Sequence, residues 1–450
     1  MFRLKTFSAL SLGILFLISL FFISSDSDRQ SFSFLILAYF VSFACYLALI
    51  LLKADNRILL ALTALGVLIC CISPPFLSND YYRFLWDGEL LNSGISPFSK
   101  IPNEVLIDST YLSQLRSGMG ELSRANYSCY PPINQLYFYI ATCFSDSLFV
   151  NTTVLRLLIV LSGMMGFVFF RRILSHLKLD IRIAFLFFLN PLVLIESIAN
   201  VHFELVMVAW LMGAIYFIVK KEILKAGILF ALAIQIKLIP LLFIPFVLRY
   251  LDWKKWISFG LITIAINGVL FYLWFNEETL AHFFESLQLY FKQFEFNSIL
   301  LYPYLMYGEW QYGWNLTDLF APRLAYWSLF ILSALAFYGG KIEKETLIKR
   351  LIIASIIYLI FTSTVHPWYW ILALGLMTLQ PSLTVLLATG LTVLSYGTYK
   401  FGNDFDFRLI LMGANFLIIA LFLSEYVFFK AKIQRFKKNY LDFSLSGTGS

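Results

Sequence analysis

Residues 32–52, FSFLILAYFVSFACYLALILL, carry no charged side chain, no proline and no glycine. An α-helix rises about 1.5 Å per residue, so roughly twenty apolar residues match the hydrocarbon core of a bilayer. The stretch is therefore predicted to form a transmembrane helix. Residues 7–24 have the same character, and because another apolar run follows them, we interpret them as a retained first span and not as a cleaved signal peptide.

The whole chain shares this apolar character. Of its 450 residues, 60% are hydrophobic and 14% are charged, whereas soluble domains are roughly 45–50% apolar and about 25% charged. Lipid is needed to cover the excess apolar surface. Apolar windows that suit a bilayer crossing recur about fourteen times, several of them short. The predicted fold is all-α, a polytopic transmembrane helical bundle of about 12–14 spans.

The distribution of charge predicts the orientation of the bundle. The chain has 34 Lys and Arg against 27 Asp and Glu, a net charge of +7, which suggests nucleic acid or anionic lipid as a partner. The basic residues cluster in short segments between apolar runs, as they do in cytoplasmic loops, so membrane lipid is expected and nucleic acid is not. With the N-terminus in the cytoplasm, most basic residues lie inside and most acidic residues lie outside.

This orientation leaves two long segments, residues 78–131 and 276–321, on the extracytoplasmic side. With the spans they form one predicted membrane domain, residues 1–438, followed by a flexible tail at 439–450. The second segment contains ETLAHFFESLQLYFKQFEF, residues 278–296, in which apolar residues recur at helical spacing. We expect this helix either to lie on the membrane surface or to pack on the bundle as a lid.

Charge interrupts the apolar chain at SNDYYRFLWDGELLNSGISPF, residues 78–98. A proline pair precedes this segment and a glycine closes it, which predicts a short helix at the outer surface. Asp80, Arg83 and Asp87 share one face of that helix, and Asp80 lies in its first turn, where the helix dipole favours an ionised carboxylate. Three interpretations remain open: a solvated interfacial helix, a gating carboxylate of a transporter, or a general base.

The segment resembles the first outer loop of the GT-C superfamily of membrane glycosyltransferases. It is most similar to that of the bacterial polyprenyl-phosphate-mannose-dependent mannosyltransferases, whose pattern is an acid, a Tyr-Arg-Tyr-rich part, Trp-Asp-Gly, and Gly-x-Asn-Pro-Tyr. Ser96 and Phe98 replace the asparagine and tyrosine of the final turn. The matching residues are Asp80, Tyr82, Arg83, Trp86, Asp87, Gly88, Gly94 and Pro97.

Further pieces of the chain follow in the order of that family. YPPINQLYF begins at residue 130, FEFNSILLY at residue 294 and HPWYW at residue 366. NPLVLIESIANVHFELVM, residues 190–207, resembles the family's Asn-Pro…His-Asn-Asp…Met segment, although Phe203 and Glu204 replace its asparagine and aspartate. Together the pieces extend over residues 78–370.

The resemblance implies a GT-C-like fold, a polyprenyl-phosphate-linked sugar donor on the outer face, and inverting transfer without a cofactor. Asp80 aligns with the acid that serves as general base in this superfamily. The sugar is expected to be mannose and the acceptor is a hydroxyl of unknown identity. No metal site is expected, because DFD at residues 404–406 fits an Asp-x-Asp motif only nominally, beside Arg408.

A departing polyprenyl phosphate gains negative charge, so cations on the outer half of the membrane are expected to face it. The candidates for binding the donor phosphate are Lys237, His366 and Arg408. Each has a competing interpretation. Lys237 can snorkel to the interface, His366 can be a hydrogen-bonded structural residue, and Arg408 can anchor the helix that it begins.

Polar residues near the outer end of another predicted hairpin form a second group of candidates. Acidic side chains in a membrane are costly and mark functional sites. Here they are expected either to bind sugar hydroxyls or to couple proton movement in a transporter. Arg83 is also expected to pair with Asp87 or Asp80 and so to orient the base. The predicted substrate-binding residues are Arg83, Trp86, Asp87, Glu196, Asn200, His202, Glu204 and Tyr369.

The sequence thus predicts a multi-pass glycosyltransferase of the cell inner membrane, with its active site facing the periplasm. The alternative is a polytopic transporter or flippase for a lipid-linked sugar, which would explain the intramembrane charges but not the two long outer segments. An O-antigen ligase or polymerase fits less well, because the first outer segment here begins with an acid.

Overall fold

The computed structural model describes residues 2–26, 31–107, 109–292, 294–402 and 404–428. The tail predicted at 439–450 lies outside these residues. Within them every regular element is a helix, apart from an isolated parallel bridge between Phe296 and Thr364. The predicted all-α helical bundle is therefore confirmed.

Three helices form the N-terminal part of the bundle, and α1 packs against both of the others. They are α1 (Phe2–Asp26), α2 (Phe32–Leu51) and α3 (Asn56–Cys70). The apolar stretch at 32–52 forms α2, as predicted. The Asp55 carboxylate accepts a hydrogen bond from the Arg57 amide at 2.8 Å, and this N-cap begins α3.

The first long segment folds into four short helices. They are α4 (Asp80–Asn92), α5 (Thr110–Gly118), α6 (Glu121–Arg124) and α7 (Pro132–Thr142). The short helix predicted after the proline pair is thus confirmed, and Gly94 follows it with a φ of +72°, which glycine adopts without strain. α4 packs closely on α7, since a Cβ at Gly88 would lie 2.3 Å from the carbonyl oxygen of Phe138.

The middle of the chain forms the centre of the bundle. Its helices are α8 (Leu148–His176), α9 (Phe185–Phe188), α10 (Pro191–Val193), α11 (Glu204–Lys220), α12 (Ile223–Ile236), α13 (Ile244–Tyr250) and α14 (Trp253–Trp274). A π-helical turn, Leu194–Ala199, continues α10. Ile181–Phe188 and Pro191–Ala199 meet at a bend of 50°. Residues 183–209 are buried throughout, so this bent pair and the start of α11 lie at the core.

Arg156 of α8 joins this core to the start of the first long segment. Its guanidinium donates hydrogen bonds to the carbonyl oxygens of Ile198 at 3.0 Å, Ala199 at 2.6 Å and Ser73 at 2.6 Å. These carbonyls lie at helix ends, where the backbone has no intrahelical donor. The buried cation therefore holds the end of the π-helical turn beside the chain that leads into α4.

The last part of the chain contains the second long segment and the C-terminal helices. They are α15 (Glu277–Lys292), α16 (Leu301–Tyr312), α17 (Thr317–Phe337), α18 (Lys344–Phe361), α19 (Trp370–Met377), α20 (Leu383–Leu391), α21 (Thr398–Phe401) and α22 (Phe405–Leu423). The helix predicted within 278–296 is α15. Its Phe283 is fully buried against Phe98 and Phe275, and its Ser286 hydroxyl donates to the Tyr127 carbonyl at 2.8 Å. α15 thus packs as a lid on the first segment.

Six helices in the described part of the chain are long and apolar enough to cross a bilayer, and the bent pair adds a seventh if it is one span. The six are α1, α2, α8, α14, α17 and α22. Shorter apolar helices fill other predicted windows: Asn56–Cys70, Ile223–Ile236, Ile239–Tyr250 and Pro367–Met377. The sequence contains about fourteen apolar windows, and that number includes such short and broken helices.

We expect Gly88→Ala to lower the melting temperature of the detergent-purified protein, because the added methyl would force α4 away from α7. Overpacking of this kind costs about 1–3 kcal/mol. Gly268→Ala in α14 is the control, since nothing lies within 4 Å of its added Cβ. Equal melting temperatures for the two variants would contradict the close contact between α4 and α7.

Candidate active site

The Asp80 side chain stands at the N-terminus of α4. Its own amide donates to the Ser78 hydroxyl at 3.2 Å, so this serine helps to begin the helix. The Asp80 side chain is 44% exposed, although its neighbours are largely buried. The helix dipole favours negative charge at this end. Asp80 is therefore an accessible carboxylate on a rigid element.

A buried ion pair fixes the rest of α4 within the first segment. Arg83 Nε lies 2.7 Å from Asp87 Oδ1, as expected from the sequence. The second carboxylate oxygen of Asp87 accepts hydrogen bonds from Ser128 at 2.5 Å and from Gln135 at 2.9 Å. Arg83 also donates to the backbone carbonyls of residues 123 and 126. The pair thus ties α4 to the chain that runs from α6 to α7.

A cavity of ≈ 730 Å³ lies between the first segment, the second segment and the end of α12. Much of its wall is apolar and includes Leu238, Leu242, Pro322, Ala325 and Leu329. Five of the side chains singled out in the sequence line it together: Asp80, Arg83, Lys237, His366 and Tyr369. The Nη2 atom of Arg83 is buried and makes no hydrogen bond with the protein.

Lys237 reaches the cavity from the extended residue that ends α12. Its ammonium forms an ion pair with Glu204, whose side chain is 1% exposed, and lies 5.3 Å from the centroid of the Tyr369 ring. A lysine flanked by apolar residues in a membrane protein needs such a partner. Glu204 is not among the cavity-lining residues, so it reaches the cavity only through Lys237.

A column of stacked rings forms another part of the cavity wall. The His366 ring stacks on Trp368 at a centroid distance of 4.3 Å and on Phe296 at 4.4 Å. The Val365 amide donates to the Phe296 carbonyl at 2.8 Å, which holds the second segment against this column. Trp368 continues the column to His202, at 3.7 Å. In the sequence Trp368 stood out only as part of the HPWYW piece, with no role of its own.

Glu196, Asn200 and His202 lie behind Asp80 and do not line the cavity. His202 Nε2 is 3.6 Å from Asp80 Oδ2, and His202 Nδ1 is 3.1 Å from Glu196 Oε2. Asn200 accepts a hydrogen bond from the Leu77 amide at 3.1 Å and so supports the backbone before α4. These three residues were predicted to contact sugar. In the structure His202 contacts Asp80, Asn200 contacts the backbone before α4, and Glu196 contacts His202.

Three further predicted residues lie away from the cavity. Trp86 and Asp87 are fully buried in the packing of α4. Arg408 forms an ion pair with Glu309 and lies 5.9 Å from the Tyr302 ring centroid, outside the cavity lining. Within the described part of the chain, no cluster of three His, Cys, Asp or Glu side chains is placed to hold a metal ion.

Sequence reasoning missed Arg156 and Tyr396. Arg156 is a single cation within a predicted span, which is by itself a signal of a buried partner. Tyr396 donates to Glu196 Oε1 at 2.6 Å across a separation of two hundred residues, and nothing in its local sequence indicates this contact.

We expect Asp87→Asn to destabilise the first segment strongly, because it leaves the buried Arg83 without a counter-charge, at a cost of about 3–5 kcal/mol. The measurements are the melting temperature and the rate of limited proteolysis within residues 99–127. Glu121→Gln is the matched control, since its ion pair with Arg124 in the same segment is exposed and contributes about 0–1 kcal/mol. Similar effects for both variants would contradict the structural role of the Arg83–Asp87 pair.

Comparison with known proteins agrees with the resemblance seen in the sequence. Residues 20–251 match the family described as "Alpha-(1->6)-mannopyranosyltransferase, N-terminal domain". A relative from Mycobacterium tuberculosis, alpha-(1->6)-mannopyranosyltransferase A, is 28% identical over 212 residues, which are 45% of this chain and 39% of the relative. The match therefore spans well under half the length of this relative. Since the family match covers more than half of the chain and includes Asp80, His202 and Lys237, the chain belongs to the alpha-(1->6)-mannopyranosyltransferase family.

Proposed function

We propose that the protein transfers a mannosyl group from a polyprenyl-phosphate donor to an acceptor hydroxyl, with inversion, on the extracytoplasmic side of the cell inner membrane. The observation that carries the proposal is that Asp80, Lys237 and His366 line one cavity with a largely apolar wall. Such a transfer needs a base, two groups that can face a phosphate, and a surface for a hydrocarbon chain.

The choice of sugar and donor has separate support. Mannose is supported by the family and by the printed name of the relative, both of which specify mannopyranosyl transfer. A lipid-linked donor is supported by the apolar wall at Leu238, Leu242, Ala325 and Leu329, because a polyprenyl chain gains about 0.8 kcal/mol for each CH₂ that leaves water. The outer location is supported by the excess of basic residues in the segments predicted to be cytoplasmic.

In the proposed reaction, Asp80 accepts the proton of the acceptor hydroxyl as the hydroxyl oxygen attacks the anomeric carbon of the donor sugar. The bond from that carbon to the phosphate oxygen breaks, and the electron pair leaves with the polyprenyl phosphate. A charge that develops on the phosphate is best stabilised by donors already held in place. Lys237, fixed by Glu204 and beside Tyr369, fits that requirement, and His366 is held by its stacked rings.

Other residues receive more limited roles in this proposal. Arg83 lines the cavity, but its ion pair with Asp87 and its bonds to backbone carbonyls give it the role of fixing the helix that begins at Asp80. Tyr369 offers its ring face to the sugar. Trp86 and Asp87 shape the site indirectly by fixing α4. The phosphate role expected for Arg408 finds no support in its placement, because its ion pair with Glu309 lies outside the cavity lining.

We expect Asp80→Asn to reduce mannosyl transfer by about 10²–10⁴-fold while leaving the melting temperature near that of the wild type. The assay uses polyprenyl-phosphate mannose with octyl α-mannoside as the acceptor, and measures both the glycoside product and the released polyprenyl phosphate. Asp318→Asn is the control, since Asp318 is an exposed first-turn aspartate of α17 that does not line the cavity. Near-wild-type transfer by Asp80→Asn would refute its role as base, and movement of donor between leaflets without phosphate release would indicate a flippase.

We expect Lys237→Gln to lower kcat/KM for the donor by roughly 10- to 100-fold, since hydrogen bonds to charged groups contribute about 1.5–3 kcal/mol. Because the single change leaves the buried Glu204 unpaired, the double variant with Glu204→Gln is measured beside it to separate phosphate binding from folding. Lys100→Gln, at an exposed lysine of the first segment, is the control. An unchanged kcat/KM in the folded double variant would exclude Lys237 from donor binding.

A further inference from the structure

A chain of charged and polar side chains in contact runs from Asp80 into the core of the bundle. His202 Nε2 lies 3.6 Å from Asp80 Oδ2 and 3.2 Å from the Ser78 hydroxyl. On the other side of the ring, His202 Nδ1 lies 3.1 Å from Glu196 Oε2, and the Tyr396 hydroxyl donates to Glu196 Oε1 at 2.6 Å. The imidazole thus lies between two carboxylates, one facing the cavity and one fully buried.

The backbone around His202 is held in an unusual conformation. Val201 has a φ of +55°, in the left-handed region that β-branched residues rarely adopt. The preceding residues, Leu194–Ala199, form a π-helical turn, a form that is frequent at functional sites. Strain of this kind persists only where the surroundings enforce it. Here the Trp368 ring stacks on His202 at 3.7 Å and so fixes the plane of the imidazole.

The charges around the imidazole favour its protonated form. Burial opposes the imidazolium, but the hydrogen bonds and charges of Asp80 and Glu196 outweigh it and raise the pKa of His202 to about 9. Four other titratable or charged groups approach this cluster from neighbouring elements. Tyr396 contacts Glu196, and Tyr39 of α2 lies close enough to interact with its charge. His366 stacks on the far face of Trp368, and Arg156 contacts the Ala199 carbonyl. The two carboxylates are therefore the charged groups nearest to the ring.

We propose that His202 is a positioning residue, which holds the Asp80 carboxylate ionised and in a fixed orientation at the cavity, with Glu196 and Tyr396 holding His202 in turn. The inference rests on the proposed function, because it takes Asp80 as the base. It assigns Glu196 and His202 to the support of the base, although the sequence placed them in sugar binding.

The consequence for catalysis follows from the position of the cavity. A carboxylate beside an apolar wall tends to take up a proton, because low polarity disfavours its charge. An opposite charge within about 4–6 Å favours the ionised form. The His202 imidazolium supplies that charge to Asp80, and Glu196 keeps the imidazolium from being an uncompensated buried cation. The base thus stays ready to accept a proton over a wider range of pH.

The first test is the pH profile of mannosyl transfer from polyprenyl-phosphate mannose to octyl α-mannoside by the full-length protein. His202→Gln is expected to move the acid limb of kcat/KM to higher pH by about 1–3 units, because Asp80 loses the neighbouring positive charge. Tyr396→Phe removes one hydroxyl while His202 and Glu196 remain, so this variant is expected to fold. We expect it to shift the acid limb of kcat/KM in the same direction as His202→Gln, but by a smaller amount. His176→Gln, at an exposed histidine that ends α8, is expected to leave the profile unchanged.

The position of the acid limb separates the possible outcomes. A purely structural role for His202 would lower the rate at every pH without moving the limb. An unmoved limb in folded His202→Gln and Tyr396→Phe, with Asp80→Asn inactive, would overturn this inference and leave the proposed function intact. Near-wild-type transfer by Asp80→Asn would overturn the role of Asp80 as base, and the absence of transfer by the wild-type protein would overturn the proposed function itself.

A second test needs neither donor nor acceptor. The chain has four histidines, so nitrogen-15 NMR of histidine-labelled protein in nanodiscs can assign His202 by comparison with His202→Gln. We expect both ring nitrogens of His202 to be protonated at pH 7.5, and its titration midpoint to fall in Asp80→Asn, where one of its two carboxylate partners is lost. A neutral His202 ring at pH 7.5 would overturn the inference whatever the enzymatic result.

Discussion

The buried ion pair between Arg83 and Asp87 is the interaction on which the site depends. It joins α4 to the chain between α6 and α7, and a cavity wall of residues 120–131 is built on that chain. Because both partners are almost fully buried, neither charge is tolerable without the other. Asp80 begins the same helix, so its position relative to the cavity is fixed by a pair that takes no part in the proposed chemistry.

The same rule of compensation governs the other charges in the core. Lys237 is paired with Glu204, Arg408 with Glu309, and His202 with two carboxylates. In a bundle surrounded by lipid, water is not available to solvate such groups, so each must find a protein partner. The charge that remains accessible at the cavity is then a small part of the total: the exposed face of Asp80 and the end of Lys237.

The helical fold and the position of Asp80 at the start of a short helix were predictable because they depend on local pattern. The apolar run at 32–52 has the length of a span, and the spacing of Asp80, Arg83 and Asp87 determines a helix face whatever surrounds it. The roles of Glu196 and His202 could not be read in this way, since spacing does not reveal whether a buried side chain faces a cavity or another side chain. The contact of Tyr396 with Glu196 and the pairing of Arg408 with Glu309 join residues far apart in sequence, and no periodicity encodes them.

The column of rings from His202 through Trp368 and His366 to Phe296 connects parts of the chain that are made at different times. A ribosome inserting this protein completes α4 and α11 well before it reaches residue 296 or residue 366. Until the later residues arrive, the imidazole lacks the ring that fixes its plane, and the cavity lacks one wall. A partly synthesised chain therefore holds an unfinished pocket.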